Sequence, residues 1–524
     1  GGRVFDVLGK LFDQRPLREL LMDAILYGEQ PDVKARLDEV VDGTVNADAL
    51  RRLLEDRALA TETMNAARAQ AIRQEMERAN ARRLQPRYIR AFFLEAFAML
   101  GGRVSRREGQ RLEVTHVPSA IRARDRQIGT REVVLPRYER IAFETKDLHG
   151  PSDNLIAPGH PLLDAMVDLV REQHGRLLQQ GAVLIDEHDL STEPRLLVFL
   201  RHAITDGRPT PSGDALVISE RMELVDLFAD GRARGAGPAP YLDLRAASAD
   251  EAEQIEAIAK SAPLAAEPEK RAMDFAIEHL VPEHLREVKT VRVPLVDKAE
   301  REVKARLTQE IQSWEYRAEE LREQERKGKQ PAMNAARARA RADELETRLR
   351  ERLDDIARQR QIAPRPPQII GAALVVPIGC LRAEAGEADA VAAEADARAE
   401  VERLAMEAVM AAERELGFAP VDVSAENRGY DIESRGAPDG RLRLIEVKGR
   451  RADADTVTVT CNEVITGLNA GEGSDYILAL VAVRDGAAAT PHYVRRPFDR
   501  EPETDETART LSLSGLVRRA TAPG

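Results

Sequence analysis

Apolar and polar positions along the chain follow helical and strand spacings in turn, which predicts a mixed α/β fold. The first hundred residues have a mostly helical pattern, with Leu17, Leu21 and Ile25 recurring at every fourth position. Between about residues 101 and 229, the runs RLEVTHV, EVVL, YERIAFET, GAVLIDE, PRLLVFLRHAI and DALVISERMELVDLF predict strands. Within this region, PGHPLLDAMVDLV predicts a helix after a Pro/Gly turn, and the Gly- and Pro-rich residues 231–240 predict a loop or boundary.

Residues 288–378 have the pattern of a long helical hairpin. The run VKTVRVPLV predicts a strand, and Asp297 with Glu300 fits a capping box at the start of the first helix. Apolar residues that include Trp314 then recur at heptad-like spacing up to the helix breaker GKQP, and a second such stripe follows it. Two stripes joined by a short breaker predict an antiparallel hairpin. The run IIGAALVVPIG predicts a strand at the base of the hairpin, paired with residues 288–296.

The C-terminal part of the chain begins with an Ala- and acid-rich stretch that predicts a linker or a weak helix. The next hundred residues predict the element order α-β-β-β-β-α-β, with a tight turn at PDG, and a polar tail follows. We therefore divide the chain into a helical region (1–100), an α/β accessory domain (101–287), a strand–helical hairpin–strand unit (288–379), an acidic linker (380–400), an α/β domain (401–500) and a tail (501–524).

Composition narrows the classes of function. The net charge of −12 over 524 residues gives an overall field that repels phosphate, so binding to nucleic acid would depend on local basic patches. Two cysteines are too few for a disulfide framework or a cysteine-rich zinc site. No apolar run approaches the ~20 residues that span a membrane, and the first residues lack the layout of a signal peptide. These features predict a cytoplasmic protein with no membrane partner.

The strongest candidate chemistry lies in the domain at 401–500. Asp431 lies on its predicted second strand, and Glu446 and Lys448 lie two residues apart on the third, so they share a face. Magnesium is often held by one or two carboxylates, and a nearby lysine can stabilise an attacking hydroxide and developing phosphorane charge. The pattern therefore predicts a Mg²⁺ site for phosphodiester hydrolysis with Asp431 and Glu446 as ligands. The alternative is a solvated face of salt-bridged side chains at a sheet edge.

Two arginine-rich segments are candidates for contact with DNA. Arg82, Arg83, Arg87 and Arg90 cluster near Tyr88, and they equally fit basic residues at a helix end. The second hairpin helix carries an arginine face, but acidic residues interrupt it at helical spacing. We therefore interpret that face as a surface of intrahelical ion pairs.

The residues around the candidate site resemble a known family. The pattern AMEAVMAAERELGFAPVDVSAENRGYDIES, followed by RLIEVKGR and VTVTCNEV, resembles the NO VEIN C-terminal-type domain, a restriction-endonuclease-like module of the PD-(D/E)xK class. The resemblance implies that Glu413 on the opening helix joins Asp431, Glu446 and Lys448 as catalytic residues. It also matches Thr460, Asn462 and Glu463 to a T-x-N-E element. Lys448, Arg450 and Asn462 are then candidates for DNA contact.

The upstream segments resemble a second family. GGRVFDVLGKLF, LIAPGHPLLDAMVDLV, the hairpin with ERKGKQP and PPQIIGAALVVP resemble the C-terminal half of Swi/Snf-type helicases of the DrmD type, from the DISARM anti-phage system. The chain contains neither GxxxxGK[ST] nor an Asp-Glu-x-His box, so any use of ATP would belong to a motor in cis or in trans. The resemblance implies an accessory and effector region whose partners are DNA and other defence-complex subunits. The alternatives are a non-catalytic scaffold with an inactive nuclease-like domain, and a free-standing restriction enzyme.

Overall fold

The structure, a computed structural model, describes residues 85–108, 111–128, 133–150, 153–210, 213–261, 267–329, 333–436, 442–470, 475–503 and 506–524. The predictions for residues 1–84, including the contacts of Arg82 and Arg83, and for the PDG turn lie outside these ranges. The fold is mixed α/β, as the sequence pattern predicts. Within the described ranges, no helix combines the length and apolarity that crossing a bilayer requires.

The elements are numbered in chain order over the described residues. The helices are α1 (Gln85–Met99), α2 (Ser119–Ile128), α3 (Pro161–His174), α4 (Leu177–Gln180), α5 (Ala252–Ser261), α6 (Pro268–Phe275), α7 (Val281–Arg326), α8 (Ala335–Gln359), α9 (Ile378–Arg382), α10 (Ala388–Glu415), α11 (Cys461–Asn469) and α12 (Leu513–Val517). The strands are β1 (Val104–Arg106), β2 (Leu112–Val114), β3 (Tyr138–Ala142), β4 (Asn154–Leu155), β5 (Ala182–Asp186), β6 (Arg195–Pro209), β7 (Ala215–Phe228), β8 (Ala233–Gly235), β9 (Arg245–Ala246), β10 (Ala363–Pro364), β11 (Gln368–Pro377), β12 (Ala419–Asp422), β13 (Ile432–Arg435), β14 (Arg443–Arg451), β15 (Thr456–Thr460), β16 (Asp475–Arg484), β17 (Ala487–Ala488), β18 (His492–Arg495) and β19 (Ala508–Ser512).

One compact unit contains the described parts of 206–216 and 287–362, and it is the predicted helical hairpin. Helices α7 and α8 run antiparallel, because Glu315 pairs with Arg339 while Asp297 pairs with Arg360. Their apolar stripes form the seam of the hairpin, which buries Leu307, Ile311, Ala318, Leu321, Ala338 and Leu345. The arginines of α8 form ion pairs such as Arg341–Glu344, as we predicted for that face.

The predicted strand at 288–296 is wrong, because these residues belong to α7, which passes through Pro294. The run fits the spacing of a strand and also that of a helix, because Val288, Val291 and Leu295 recur at intervals of three and four residues. The predicted capping box is wrong for the same reason, since it lies inside the helix. The Asp297 and Glu300 carboxylates instead accept hydrogen bonds of 2.5 and 2.8 Å from the Arg360 guanidinium.

The second unit contains the described parts of 66–205, 217–286 and 363–524. Its middle sheet has the order β8-β7-β6-β11-β5-β9, so β11 pairs with β5 and β6 and not, as predicted, with residues 288–296. Residues 231–240 are not a simple loop or boundary, since they include β8, which pairs with β7. The preceding sheet, β1-β2-β3-β4, packs with α1, α2 and α3 around a shared apolar core. The described residues of EVVL form no strand there.

The C-terminal part of this unit is a sheet of order β12-β13-β14-β16-β17, with β18 also paired to β16. Strands β14 and β16 are parallel, and the sheet has an apolar core on each face. The predicted acidic linker is largely helical, since α10 begins at Ala388 and buries Val391. The predicted tail is also wrong: β19 pairs with β15, and α12 buries Leu516.

Candidate active site

Strand β14 separates two environments, because its side chains alternate between the faces of the sheet. Ile445 pairs with Ile432 and Ile477 and faces α10, where these residues share a core with Val409. Leu444, Glu446, Lys448 and Arg450 therefore face the other side, towards α11. The structure thus brings Glu446 and Lys448 to one face, as their spacing predicts.

Asp431 joins this face from the loop directly before β13, one residue outside the strand on which we predicted it. The pairing of β13 with β14 ends at Ile432 opposite Ile445. Beyond that point the Asp431 carboxylate takes the place of a backbone acceptor on the neighbouring strand. Its Oδ2 accepts the Val447 amide proton at 2.8 Å. Gly429 makes the loop possible, because its φ is +80° and an added Cβ would lie 2.3 Å from Oγ1 of Thr466 on α11.

Lys448 bridges two carboxylates from different elements. Its Nζ lies 2.8 Å from Oε1 of Glu446 and 2.8 Å from each carboxylate oxygen of Glu463. Glu463 is held at the start of α11 by a capping box, in which Oε2 accepts the Thr460 amide proton at 3.1 Å. The site therefore contains a fourth residue, Glu463, that our set of catalytic residues lacked. The T-x-x-E spacing of Thr460 and Glu463 is the sequence signal that identifies it.

The site contains more carboxylates than positively charged groups. Burial raises the pKa of Asp431 to about 6, with Glu463 adding to the rise, while Lys448 and the Val447 amide oppose it. Burial, followed by Asp431 and Glu463, raises the pKa of Glu446 well above its usual range. Burial alone would lower the pKa of Lys448, but the surrounding carboxylates outweigh it and raise that pKa. Three carboxylates thus share one ammonium group.

This arrangement fits a divalent cation held by few protein ligands. The Asp431 carboxylate binds the amide of the residue after Glu446, and its charge contributes to the raised pKa of Glu446, so a bound cation would relieve the repulsion between the two carboxylates. Among the described residues, no three His, Cys, Asp or Glu side chains are grouped so as to hold a metal ion. Magnesium commonly binds to only one or two carboxylates, with water and phosphate oxygens completing its shell. Asp431 and Glu446 match that form of binding.

Glu413 lies apart from this cluster, although the family resemblance implies a catalytic role for it. It is fully buried on α10, on the opposite face of the sheet. Its Oε1 accepts the Tyr493 hydroxyl proton at 2.9 Å and lies 3.2 Å from Nη2 of Arg443. Arg443 and Ile445 are two residues apart on β14, so both face α10. The structure therefore gives Glu413 a buried ion pair in place of contact with Lys448.

The middle sheet contributes Asp243 to the edge of the site. Oδ1 of Asp243 accepts the Asn462 amide proton at 2.8 Å, at the start of α11. Burial raises the pKa of Asp243 to about 8 against the hydrogen bond from that amide, and the nearby Glu463 charge adds to the rise. Nearby, an added Cβ at Gly237 would lie 2.4 Å from the Asn427 carbonyl oxygen, so the two parts pack closely. No sequence spacing could have revealed Asp243, which precedes Asn462 by 219 residues.

The remaining candidates for DNA contact differ in burial and in hydrogen-bond partners. Asn462 is buried at the start of α11. Arg87 donates a hydrogen bond of 3.1 Å to the Glu503 carbonyl, so it contacts the C-terminal segment. Arg450 is half-buried on the face of Lys448, and its Nη1 donates to the Gly449 carbonyl at 2.7 Å.

The comparisons with known proteins identify the C-terminal domain. The family model described as Protein NO VEIN, C-terminal, matches residues 401–494. This match confirms the resemblance of these residues to the NO VEIN C-terminal-type domain, and it includes Asp431, Glu446, Lys448 and Glu463. No curated protein matches the chain.

Lowering the pH from 7.5 to 5 is expected to weaken Mn²⁺ binding at this site about tenfold. With a pKa of about 6, Asp431 is mostly ionised at pH 7.5 and mostly protonated at pH 5, so protons compete with the metal for Asp431 mainly at the lower pH. Isothermal titration calorimetry measures the affinity at both values. Asp431→Asn is the control, since it should bind weakly and lose the part of the pH dependence that Asp431 contributes. Equal affinity of the unaltered chain at both pH values would contradict the assignment.

Proposed function

We propose that the C-terminal domain binds DNA and hydrolyses its phosphodiester bonds with Mg²⁺ held by Asp431 and Glu446. The observation that carries this proposal is the buried cluster of three carboxylates around Lys448 on one face of the sheet. Bound Mg²⁺ would supply Lewis-acid stabilisation to the negative charge that develops on the phosphate. Lys448 is placed to donate a hydrogen bond to the attacking water or to a phosphate oxygen. Glu463 fixes the position of Lys448 from the start of α11.

We further propose that the chain is an accessory and effector region of a cytoplasmic, DNA-translocating anti-phage helicase. The support is the resemblance of its upstream segments to DISARM helicases of the DrmD type, together with the hairpin that the structure contains. A motor in cis or in trans would supply ATP-driven movement, and the hairpin would contact DNA or a partner subunit. Helicase motifs encoded upstream in the same reading frame would support a motor in cis.

A non-catalytic scaffold is the second candidate function. Two observations favour it: the net charge of −12 opposes binding to DNA, and Glu446 is only 4% exposed. Under this alternative the C-terminal domain binds partners within a defence complex, and the acidic cluster is structural.

A cleavage assay distinguishes the two functions. The chain is incubated with plasmid and with linear DNA in Mg²⁺ or Mn²⁺, beside Asp431→Asn and Lys448→Ala. We expect cleavage by the unaltered chain, and a loss of about 100-fold or more in each variant. Lys260→Ala is the matched control, because Lys260 is an exposed lysine of the same unit, paired with its helical neighbour Glu256. Absence of cleavage by the unaltered chain, with binding to DNA intact, would support the scaffold. Equal cleavage by Asp431→Asn would contradict the assignment of Asp431 as a metal ligand.

A further inference from the structure

A row of polar side chains connects β7, the first turn of α7 and β6 on one face of the middle sheet. Along β7, Glu220 and Met222 are exposed, whereas Ser219 and Glu223 are half-buried, so the latter two share a face of the strand. Val225 continues this face into the apolar core that β6 and β7 form with α6. The row therefore lies at the edge of that core.

The row has four members in a fixed order. Oγ of Ser219 lies 2.7 Å from Nε2 of His284, in the first turn of α7. Nδ1 of His284 lies 3.4 Å from Nδ1 of His202 on β6, and the two rings meet edge to face with their centres 4.8 Å apart. On the other side of its ring, Nε2 of His202 lies 3.5 Å from Oε1 of Glu223.

The two imidazoles are shielded from water, and the ends of the row are not. His284 is fully buried and His202 is 2% exposed. Ser219 is half-buried, and the side chain of Glu223 is 24% exposed. A reagent from solvent therefore meets the serine hydroxyl at one end of the row, with the imidazole that contacts it enclosed by protein.

One set of proton positions suits every contact in the row. A carboxylate only accepts, so His202 carries its proton on Nε2, towards Glu223, and leaves its Nδ1 unprotonated. That Nδ1 accepts the Nδ1 proton of His284, which leaves Nε2 of His284 as the acceptor for the Ser219 hydroxyl. Nε2 of His202 has no hydrogen-bond partner among the described residues, so Glu223 acts on it by charge. The hydroxyl thus lies beside a base that a second imidazole orients.

We propose that Ser219 is an activated nucleophile, with His284 as its base, in a second reaction centre that hydrolyses small carboxylic esters. This inference does not depend on hydrolysis of DNA by the C-terminal domain. A hydroxyl within hydrogen-bond reach of an imidazole that a third group orients is the arrangement of nucleophilic serine catalysis. His202 is a positioning residue, and the charge of Glu223 stabilises the positive charge that His284 acquires.

The reaction balances with groups of the chain, the ester and water alone. Oγ of Ser219 bonds to the ester carbonyl carbon as its proton passes to Nε2 of His284. His284 then donates that proton to the leaving alkoxide, which gives an alcohol and an acyl-serine. Water attacks the acyl-serine, and His284 takes a proton from the water and returns it to Oγ as the carboxylic acid departs. Arg221, on the same face of β7, brings positive charge that favours the negative carbonyl oxygen of each intermediate.

The test is labelling of the full chain with a fluorophosphonate probe in EDTA, followed by peptide mass spectrometry. We expect the phosphonyl group on Ser219, and a labelling rate lowered by at least about 100-fold in His284→Gln, which removes the base. Ser424→Ala is the matched control and should leave the rate unchanged. Ser424 is also half-buried, but its Oγ donates to the Asp422 carboxylate at 2.7 Å. Labelling of Ser219 no faster than that of Ser424 would overturn the proposal.

Hydrolysis of p-nitrophenyl acetate tests the positioning role of His202. His202→Phe keeps an aromatic ring in the core but removes the acceptor for the Nδ1 proton of His284. We expect kcat to fall by at least about 100-fold, while KM stays within about twofold because the ester does not contact His202. An unchanged kcat in His202→Phe would overturn the role of the second imidazole.

The outcomes stay separate from those of the proposed function. Labelling needs neither metal nor DNA, so a chain that is labelled at Ser219 but never cleaves DNA would overturn the hydrolysis of DNA and leave this inference standing. If His284→Gln fails to fold, the unaltered chain in concentrated urea replaces it, because unfolding separates Ser219 from His284 and should stop the labelling. Labelling that persists in urea, or that occurs at serines other than Ser219, would overturn the inference.

Discussion

Replacing Lys448 with Met is expected to lower the free energy of unfolding by about 3–5 kcal/mol at pH 8, because it leaves buried carboxylates without their counter-charge. Lys448 is the ammonium group shared by Glu446 and Glu463, each at 2.8 Å. The deficit should shrink as the pH falls towards 6. Asp431, with a pKa of about 6, begins to take up a proton in that range, the raised pKa of Glu446 acts in the same direction, and a protonated carboxyl needs no counter-charge.

Urea denaturation at pH 8 and pH 6 measures this effect. The double variant Lys448→Met/Glu446→Gln should recover part of the loss, because it removes one of the stranded charges. Lys260→Met is the control for loss of a surface lysine and should change the free energy by about 0–1 kcal/mol. A Lys448→Met chain as stable as the unaltered chain at pH 8 would show that the carboxylates are already protonated there.

Replacing Arg443 with Met is expected to cost about 3–5 kcal/mol as well, because it strands the fully buried carboxylate of Glu413. The Arg443 side chain is 4% exposed, and its guanidinium carbon lies 4.4 Å from the centre of the Phe418 ring. Loss of this cation–π contact adds to the destabilisation. The residue therefore stabilises the packing of α10 on β14.

The matched variant Glu413→Gln decides whether Glu413 acts in catalysis or in folding. Because Glu413 contacts Arg443 and Tyr493 and not Lys448, Glu413→Gln should lower the unfolding midpoint while leaving the cleavage rate of the folded protein within about twofold. Arg443→Met/Glu413→Gln should be more stable than Arg443→Met alone. A large fall in the cleavage rate of Glu413→Gln, with little change in stability, would restore the catalytic role that the resemblance implies.

The sequence predicted which residues of β14 share a face, because that signal is local. Alternation along β14 placed Glu446 and Lys448 on one face, and the family pattern placed Asp431 next to them. Glu413, which the resemblance groups with them, lies on the opposite face of the sheet, and a position on a helix does not say which face of a sheet that helix covers. Asp243 was missed because it lies between β8 and β9 of the middle sheet, and only tertiary packing brings it to α11.

The larger errors in the fold have two physical causes. Val288, Val291 and Leu295 fit both periodicities, and the long flanking helix tolerates Pro294 although proline costs about 3 kcal/mol in a helix interior. The C-terminal residues looked like a tail because their apolar content is low. A strand such as β19 needs few apolar side chains when backbone hydrogen bonds to β15 hold it in place.

The residues that match the family model are fewer than the residues that hold the candidate site in place. The matched residues begin at Val401, inside α10, and end at Val494, inside β18. They exclude β19, which completes the ladder of β15, and Asp243, which accepts the amide proton at the start of α11. A gene fragment inherited or transplanted with only those limits would carry Asp431, Glu446, Lys448 and the capping box of Glu463, but neither the Asp243 carboxylate nor the pairing of β15 with β19. Spread of this module between proteins would therefore depend on each new host chain supplying its own replacement for Asp243.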